Sequence, residues 1–370
     1  MATILVMTGQ RRRPTTVAGA VAVVCAAALL AGCGATGAKP IGSTARGPSH
    51  GTASVACAGS LLKLYDDTLG PTFEKATGDS FGGPLCAGSL ALASEILSHE
   101  ISPGVFLSLG PKPIEELFPA KRATFALAVA TDPLVIGYSQ KSRYYGQLNA
   151  IRSGRAPLSD LFRLFATPGF RLGRTDPTQD PQGATFMLMC ELAQRVLHLP
   201  AGETAHALGV TPGSPYGSAS QMLDESALPT DIAEGVVDAG SEYLPEAKQF
   251  GLDYITLPPS LDFAAPSEAA LYSSVSLVVA GKLQAGAIST LDVGLVDPGR
   301  GALQSPADRR ADSAFVAFML SGGRSLLRRA GYLLVSPVLY LAPGVTGPAE
   351  ALPSSVRSLY HALGGSVAAP

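Results

Sequence analysis

Twice near the start of this chain a short apolar run ends in Gly-Ser and passes directly into a helical pattern. The first is Ala53-Ser-Val-Ala-Cys-Ala58 before Gly59-Ser60, and the second is Leu85-Cys-Ala before Gly88-Ser89. After the first, Leu61, Tyr65, Leu69 and Phe73 recur every four residues and mark one helix face, which Gly70-Pro71 is expected to kink and Gly78 to close. A strand feeding a helix through a tight turn is the building unit of α/β folds, and its repetition predicts neighbouring parallel strands. Ser60 and Ser89 then stand at two helix N-termini that face one crevice, because ligands bind beyond the carboxyl ends of such strands.

A third helix start is written into Gly173-Arg-Thr-Asp-Pro-Thr-Gln-Asp-Pro-Gln-Gly-Ala184. Asp180 is the expected N-cap and Pro181 the first helical residue, with Phe186, Met189, Ala193 and Val196 on one face of the helix. A helix N-terminus attracts anions, yet Asp180 is itself anionic, so the turn combines an anion seat with a carboxylate. Further strands are expected at Val105 to Leu109, from Thr124 to Tyr138 with a break at Asp132-Pro133, at 235–239, at Tyr254 to Leu257 and at Ser273 to Ala280. The break suits a segment passing between two lobes, and Tyr254 to Leu257 before Pro258-Pro259 suits a second crossing. Helices are expected over Ile151 to Phe165, Glu225 to Glu234 around Pro229, and Ala311 to Leu320.

With 370 residues, 46% of them hydrophobic, the chain can bury the cores of two lobes at ~100–200 residues per domain. A net charge of -2 and the lack of a basic face exclude a phosphate-backbone binder, so no nucleic-acid partner is expected. The one basic run, Arg11-Arg12-Arg13, precedes the uncharged stretch Val17 to Ala31, the order of a secretory signal. Leu30-Ala-Gly-Cys33 at its end resembles the lipobox of bacterial lipoproteins, which implies a signal over 1–32, lipidation of Cys33 and anchoring to the outer face of the cell membrane. A Gly/Ser/Thr/Pro-rich tether comes next, 33–52. Of the cysteines that remain, Cys57 and Cys86 lie on segments placed side by side and are the pair expected to cross-link, which leaves Cys190 free. The scattered histidines form no metal-ligand spacing, and no cofactor is expected.

Several of these stretches, in this order, resemble the extracellular molybdate/tungstate-binding proteins of ABC uptake systems, nearest to the tungstate-type branch. Ala58-Gly-Ser-Leu61 with Phe73-Glu-Lys-Ala-Thr-Gly78 looks like that family's opening strand and helix, and Ala87-Gly-Ser-Leu90 like its second oxyanion loop. Leu134-Val-Ile-Gly-Tyr-Ser-Gln-Lys-Ser-Arg-Tyr144 is similar to the inter-lobe strand, and Asp176-Pro to Asp180-Pro-Gln-Gly183 to its Asp-Pro turn. Glu225, Leu228, Gly235, Asp238 and Tyr243 match the spacing of its later carboxylate and tyrosine site. The chain departs from the pattern at Pro103-Gly-Val-Phe106, at Ala184 and at Pro229.

The resemblance implies an α/β, two-lobed periplasmic-binding-protein-like fold with a hinge and mostly parallel central sheets. Lobe one would comprise 53–132 and 265–345, lobe two 133–264, and a C-terminal tail 346–370. It implies oxyanion contacts from Ser60, Ser89, Asp180, Glu225 and Tyr243, with no metal apart from the oxyanion's own centre. A monomer that captures molybdate or tungstate and hands it to an ABC permease is the function implied, without bond chemistry. Sulfate, phosphate or a small organic anion is the alternative cargo, and a member that senses without transporting is another. Read as residues alone, Ser60 and Ser89 are N-caps, Glu225 an acid of a first helical turn, and Asp238 a structural acid. Ser60-Leu-Leu-Lys63 also fits the Ser-x-x-Lys pattern of penicillin-recognising acyl-transfer enzymes, but without the partner motifs that such enzymes carry.

Overall fold

The computed structural model describes residues 50–299 and 304–368, all within one compact unit that spans 48–370. The signal, Cys33 and the tether as far as residue 49 lie outside the described residues. Among the described residues no helix is long and apolar enough to cross a membrane.

Thirteen strands are described: β1 Thr52–Ala58, β2 Ser80–Ala87, β3 Val105–Leu109, β4 Phe125–Thr131, β5 Leu134–Tyr138, β6 Leu172–Gly173, β7 Ala239–Tyr243, β8 Asp253–Thr256, β9 Ser276–Val279, β10 Lys282–Ala285, β11 Thr290–Leu295, β12 Leu333–Leu341 and β13 Ser366–Val367. They form a seven-stranded sheet ordered β13-β12-β4-β11-β3-β1-β2, a four-stranded sheet ordered β6-β7-β5-β8, and the hairpin β9-β10. The chain leaves the large sheet at Thr131 and enters the small one at Leu134, so Asp132-Pro133 is the outward crossing. Proline supplies no N–H for a ladder, which is why β4 and β5 are two strands of different sheets. The return runs from Thr256 to Thr290.

The repeated units pair as read from the sequence, but Ser60 and Ser89 are not caps: Ala58 and Gly88 hold the cap positions without a side-chain bond, and both serines lie inside the first turn. β1 is parallel to both β2 and β3, and Cys57 stands opposite Cys86 in register, joined to it by a disulfide. Cys190 is free and buried. The expectation of mostly parallel sheets needs correcting. β11 runs antiparallel to β3 and β4, β12 antiparallel to β4, and β5 antiparallel to β7 and β8. The reason is the double crossing: β11 re-enters the large sheet from the other lobe and inserts between strands laid down on the way out.

The helical run from Gly59 stays continuous to Thr77, with a π segment at Tyr65–Leu69 absorbing the expected kink just ahead of α1, Gly70–Thr77; Gly78 ends it with φ 77°. α2 is Ser89–Leu97, and α3, Pro181–Val196, starts where Asp180 caps it. The helix expected over 151–165 is two, Tyr145–Arg152 and Ser159–Phe165, separated at Gly154 with φ 72°. α4, Leu228–Glu234, begins beyond Glu225, and Pro229 lies in its first turn, where a missing N–H costs nothing; it starts the helix and does not interrupt it. The strand expected over 235–239 forms later, as β7, and leads into α5, Leu244–Gln249. A capping box at Ser305 and Asp308 starts α6, Pro306–Met319, longer than the sequence pattern alone suggests. Past residue 345 the chain is no loose tail: Ser354–Ala362 is helical and β13 extends the large sheet beside β12. Phe73, Phe315, Phe318 and Tyr65 stack edge-on and tilted between α6 and the first helical run, each buried aromatic adding roughly 1.5–3 kcal/mol of burial.

Candidate functional site

The two Gly-Ser turns of the large sheet face the Asp180 turn and the Glu225 segment of the small one. Glu225 reaches across, and its Oε2 accepts from the Gly59 N–H at 2.7 Å in a buried contact. Its other oxygen, Oε1, has no partner, and neither has the buried Ser60 Oγ. At the second turn the donors are met by a backbone oxygen: Leu90 N and Ala91 N donate to the Gln179 carbonyl at 3.2 and 3.3 Å. A Cβ built on Gly88 would stand 2.6 Å from that carbonyl oxygen and 3.3 Å from the Asp180 Cβ, so only glycine admits this approach. Ser89 is fully buried, and its Oγ accepts from Leu109 N at 3.3 Å, which directs one lone pair toward β3 and leaves the hydroxyl proton to donate.

Asp180 Oδ1 accepts from Gln182 N at 3.1 Å as the cap of α3, while the buried Oδ2 has no partner. The two roles divide between its two oxygens: one finishes a helix and the other is left facing the cleft. Burial, before anything else, pushes its carboxyl up to about 6, against the lowering by the Thr175 hydroxyl and the Gln182 N–H, with the charges of Asp224 and Asp176 adding to the rise. Glu225 is held well above the carboxylate range by burial, then by Asp180 and Glu246, against the hydrogen bonds from the Gly59 and Ser60 backbones. The Tyr243 hydroxyl is raised by burial and by Asp132, Asp180 and Glu225, which puts it among the same groups. Ser60, Ser89, Asp180, Glu225 and Tyr243, spread over residues 60 to 243, are thus gathered at one cleft.

Three further acids share this interior, and sequence reading passed over them. Asp132 on the outward crossing, Glu242 beside Tyr243, and Glu246 in the first turn of α5 are all buried, and neither oxygen of Asp132 or of Glu242 has a partner. Burial and then Glu246 hold Asp132 well above its ordinary value; burial takes Glu242 up to about 8, against the lowering by the neighbouring Glu246 carboxyl and with Glu225 adding to the rise; burial and that same Glu242 neighbour raise Glu246. The leading electrostatic neighbours of these acids among the described residues are other acids. The available signal was weak: an acid inside a strand pattern at 242 and an acid before a proline at 132.

Asp238 is structural. Burial raises its carboxyl, but the Arg171 side chain at 2.9 and 3.1 Å, the Arg171 N–H and Ser142 Oγ together hold it below the ordinary value. Ser60 and Lys63 form no dyad: Lys63 Nζ pairs with Asp67 at 2.6 Å on the surface, away from the buried Ser60 hydroxyl. Among the described residues no group of three or more His, Cys, Asp or Glu is arranged to hold a metal ion.

Two sheets joined by two crossings, with polar loops of both meeting at one buried cleft, define a protein that takes a solute between lobes. Comparison with known families agrees: the bacterial extracellular solute-binding proteins match residues 53–333, and the chain belongs to this family. A binding protein, rather than an acyl-transfer enzyme, is what that membership makes it. Among curated proteins it resembles an uncharacterised solute-binding protein of Saccharolobus solfataricus, 28% identical over 198 residues, covering 50% of this chain and 48% of that one. Another, from Methanococcus maripaludis, is 22% identical over 215 residues, 53% of this chain and 62% of the relative. The chain spans about half the length of the curated relatives it matches. Among solved structures it is similar to the periplasmic molybdate-binding protein of Azotobacter vinelandii, 16% identical with a TM-score of 0.48, covering 78% of this chain and all of that one.

Proposed function

We propose that this protein captures molybdate or tungstate between its lobes and delivers it to an ABC permease, held at the outer face of the cell membrane by a lipid on Cys33. The observation that carries the reading is the pairing of opposite faces: lobe one offers the buried hydroxyls of Ser60 and Ser89 beside the Gly59 N–H that Glu225 now holds, and lobe two offers Asp180 and Glu225, each with an unpartnered oxygen. The donors suit the oxygens of a tetrahedral oxyanion. The carboxylates suit its centre, because a hard, high-valent metal accepts added oxygen ligands, whereas the closed oxygen shell of sulfate or phosphate meets them as like charge. Tyr243, whose hydroxyl lies close to Asp180, Glu225 and Ser289, adds a further donor. Closure follows from tighter binding to the closed than to the open form, with the two crossings at 131–134 and 256–290 as the hinge.

Calorimetry of the full chain against tungstate, molybdate, sulfate and phosphate tests this. Heat with the first two, lost in Asp180→Ala, is the expected result. Folded protein that gives no heat with any of the four, or that binds sulfate as tightly as tungstate, overturns it. Cys33→Ser should release the protein from membranes; retention there removes the anchor from the proposal.

A further inference from the structure

Beside the acid-lined seat the same cleft opens into a compartment of different chemistry. It is a cavity of about 180 Å3, walled by Leu109, Lys112 and Pro113 from lobe one, by Leu188 and Tyr243 from lobe two, and by Ile288 on the return crossing. Its lining is mainly leucine, isoleucine, alanine and proline, and Lys112 is the single charged side chain among the lining residues. The Lys112 ammonium donates to Gln284 Oε1 at 3.2 Å, a neutral partner that uses one of its three N–H bonds. Its nearest acid, Glu115, lies three residues on, and among the described residues Lys112 makes no ion pair. Thr185, Ser289 and Tyr243 supply hydroxyls around the apolar walls.

A tetrahedral metal oxyanion makes no use of such a space. Its surface is all oxygen, and leucine and proline walls desolvate oxygen without replacing its hydrogen bonds. An apolar pocket with a few convergent polar groups is the usual form of an organic-ligand site. The volume sets the size: a cavity of ~150 Å3 is enough for benzene. The charge sets the ionic state, since one cation compensates one buried negative charge and a second would remain unpaired.

We propose that this compartment binds a small organic monoanion, a carboxylate with a compact apolar body of about six to nine non-hydrogen atoms, its carboxylate paired with Lys112. The inference goes beyond the metal-oxyanion reading and shares with it one premise, that the lobes close on a ligand, because the walls come from both. Tyr243 borders this compartment and is an electrostatic neighbour of Asp180 and Glu225, so it forms the partition between the two halves of the cleft.

The test is calorimetry of the full chain with benzoate, its neutral analogue benzyl alcohol and the dianion phthalate, alongside a tungstate titration. Benzoate is expected to bind more tightly than either analogue by about tenfold or more, and Lys112→Met to remove that preference. Leu188→Trp, which fills the cavity, should abolish benzoate binding, with a thermal melt to show that the variant is folded. Absence of benzoate binding to the wild type overturns the proposal, as does benzoate binding indifferent to both substitutions. The two readings fail separately: Ser60→Ala is expected to weaken tungstate and leave benzoate unchanged, and tungstate binding without benzoate binding leaves the oxyanion proposal standing and ends this one.

Discussion

The two faces of the cleft are built from opposite materials. Lobe one meets it with backbone N–H groups at the starts of two helical runs, at Gly59, Leu90 and Ala91, and with two serine hydroxyls. Lobe two and the outward crossing meet it with acids: Asp180, Glu225, Glu242, Glu246 and Asp132. Donors on one side and acceptors on the other allow the lobes to pair directly, as Glu225 with Gly59 and the Gln179 carbonyl with Leu90 and Ala91. The costs are unequal. The lobe-one N–H groups of Gly59, Leu90 and Ala91 have each found an oxygen, while several lobe-two carboxyl oxygens are buried without a hydrogen-bond partner, so that burial favours their protonated form and makes their ionisation the costly step. The specificity of the cleft therefore resides with the acids, and its closing contact with the glycines.

Gly59→Val breaks the contact side of this comparison and should have the largest effect. A Cβ at Gly59 would lie 2.8 Å from Glu225 Oε2 and 3.1 Å from the Glu225 Cβ, so a branched side chain holds the lobes apart. Lobe one itself should tolerate the change, since the three atoms nearest to that Cβ all belong to Glu225. Small-angle scattering should report a more open particle, and tungstate affinity should fall by about 100-fold, or ~2.7 kcal/mol. Unchanged closure and affinity would mean that the two faces do not need this contact.

Arg174→Met addresses the acid side at a distance. The fully buried guanidinium donates to the Tyr216 carbonyl and, at 3.2 Å, to Gln221 Oε1, while the Arg174 backbone pairs with Gln221 O and Leu223 N at 2.8 Å. One residue thus ties the turn that carries Asp180 to the loop that carries Glu225. Methionine keeps the bulk and strips two half-buried acceptors of their donor, which should lower stability in urea by about 1 kcal/mol and loosen the Glu225 loop. A variant as stable as the wild type would show that the acids are positioned without this tie.

How far the sequence reveals this arrangement depends on how local the cause is. The Gly-Ser helix starts, the Asp180 cap and the break at Asp132-Pro133 are all set by neighbours in the chain, and each is legible there. Strand direction is not local: β11 is antiparallel because of where the chain has been in the other lobe, and nothing in Thr290–Leu295 records that. The buried acids are illegible for a related reason. Glu246 reads as an acid placed in a first helical turn to suit the helix dipole, and only the packing of α5 on β5 and β7 turns it inward. Lys112 reads as one more surface lysine until the return crossing brings Gln284 against it.

The smallest effect expected, and the most diagnostic of the acid face, is the pH dependence of stability. Burial raises Asp180 from 3.8 to about 6 and Glu242 from 4.5 to about 8, so the folded protein keeps protons that the unfolded chain gives up. Where the native state binds more protons, stability falls as pH rises. The contribution is whole below about pH 4, declines through 6 as Asp180 is forced to ionise, and declines further toward 8 as Glu242 follows. Surface acids with lowered values, such as Asp308, and the paired Asp238 act in the opposite sense below their ordinary 3.8, while Asp292 and Asp312, buried outside the cleft and raised to about 7, add to the same fall, so the cleft's share is read from the difference that Glu242→Gln makes. Opening of the cleft lets water relieve the charges, so the expected fall in Tm between pH 5 and pH 8 is modest, about 3 °C. Glu242→Gln should flatten the upper part of that slope and leave the part that ends near pH 6. Tungstate should raise Tm more at pH 8 than at pH 5, because a carboxylate must lose its proton to coordinate a metal. A wild-type Tm that climbs from pH 5 to pH 8 would mean that these acids have cationic partners, and the contrast between the two faces would then be gone.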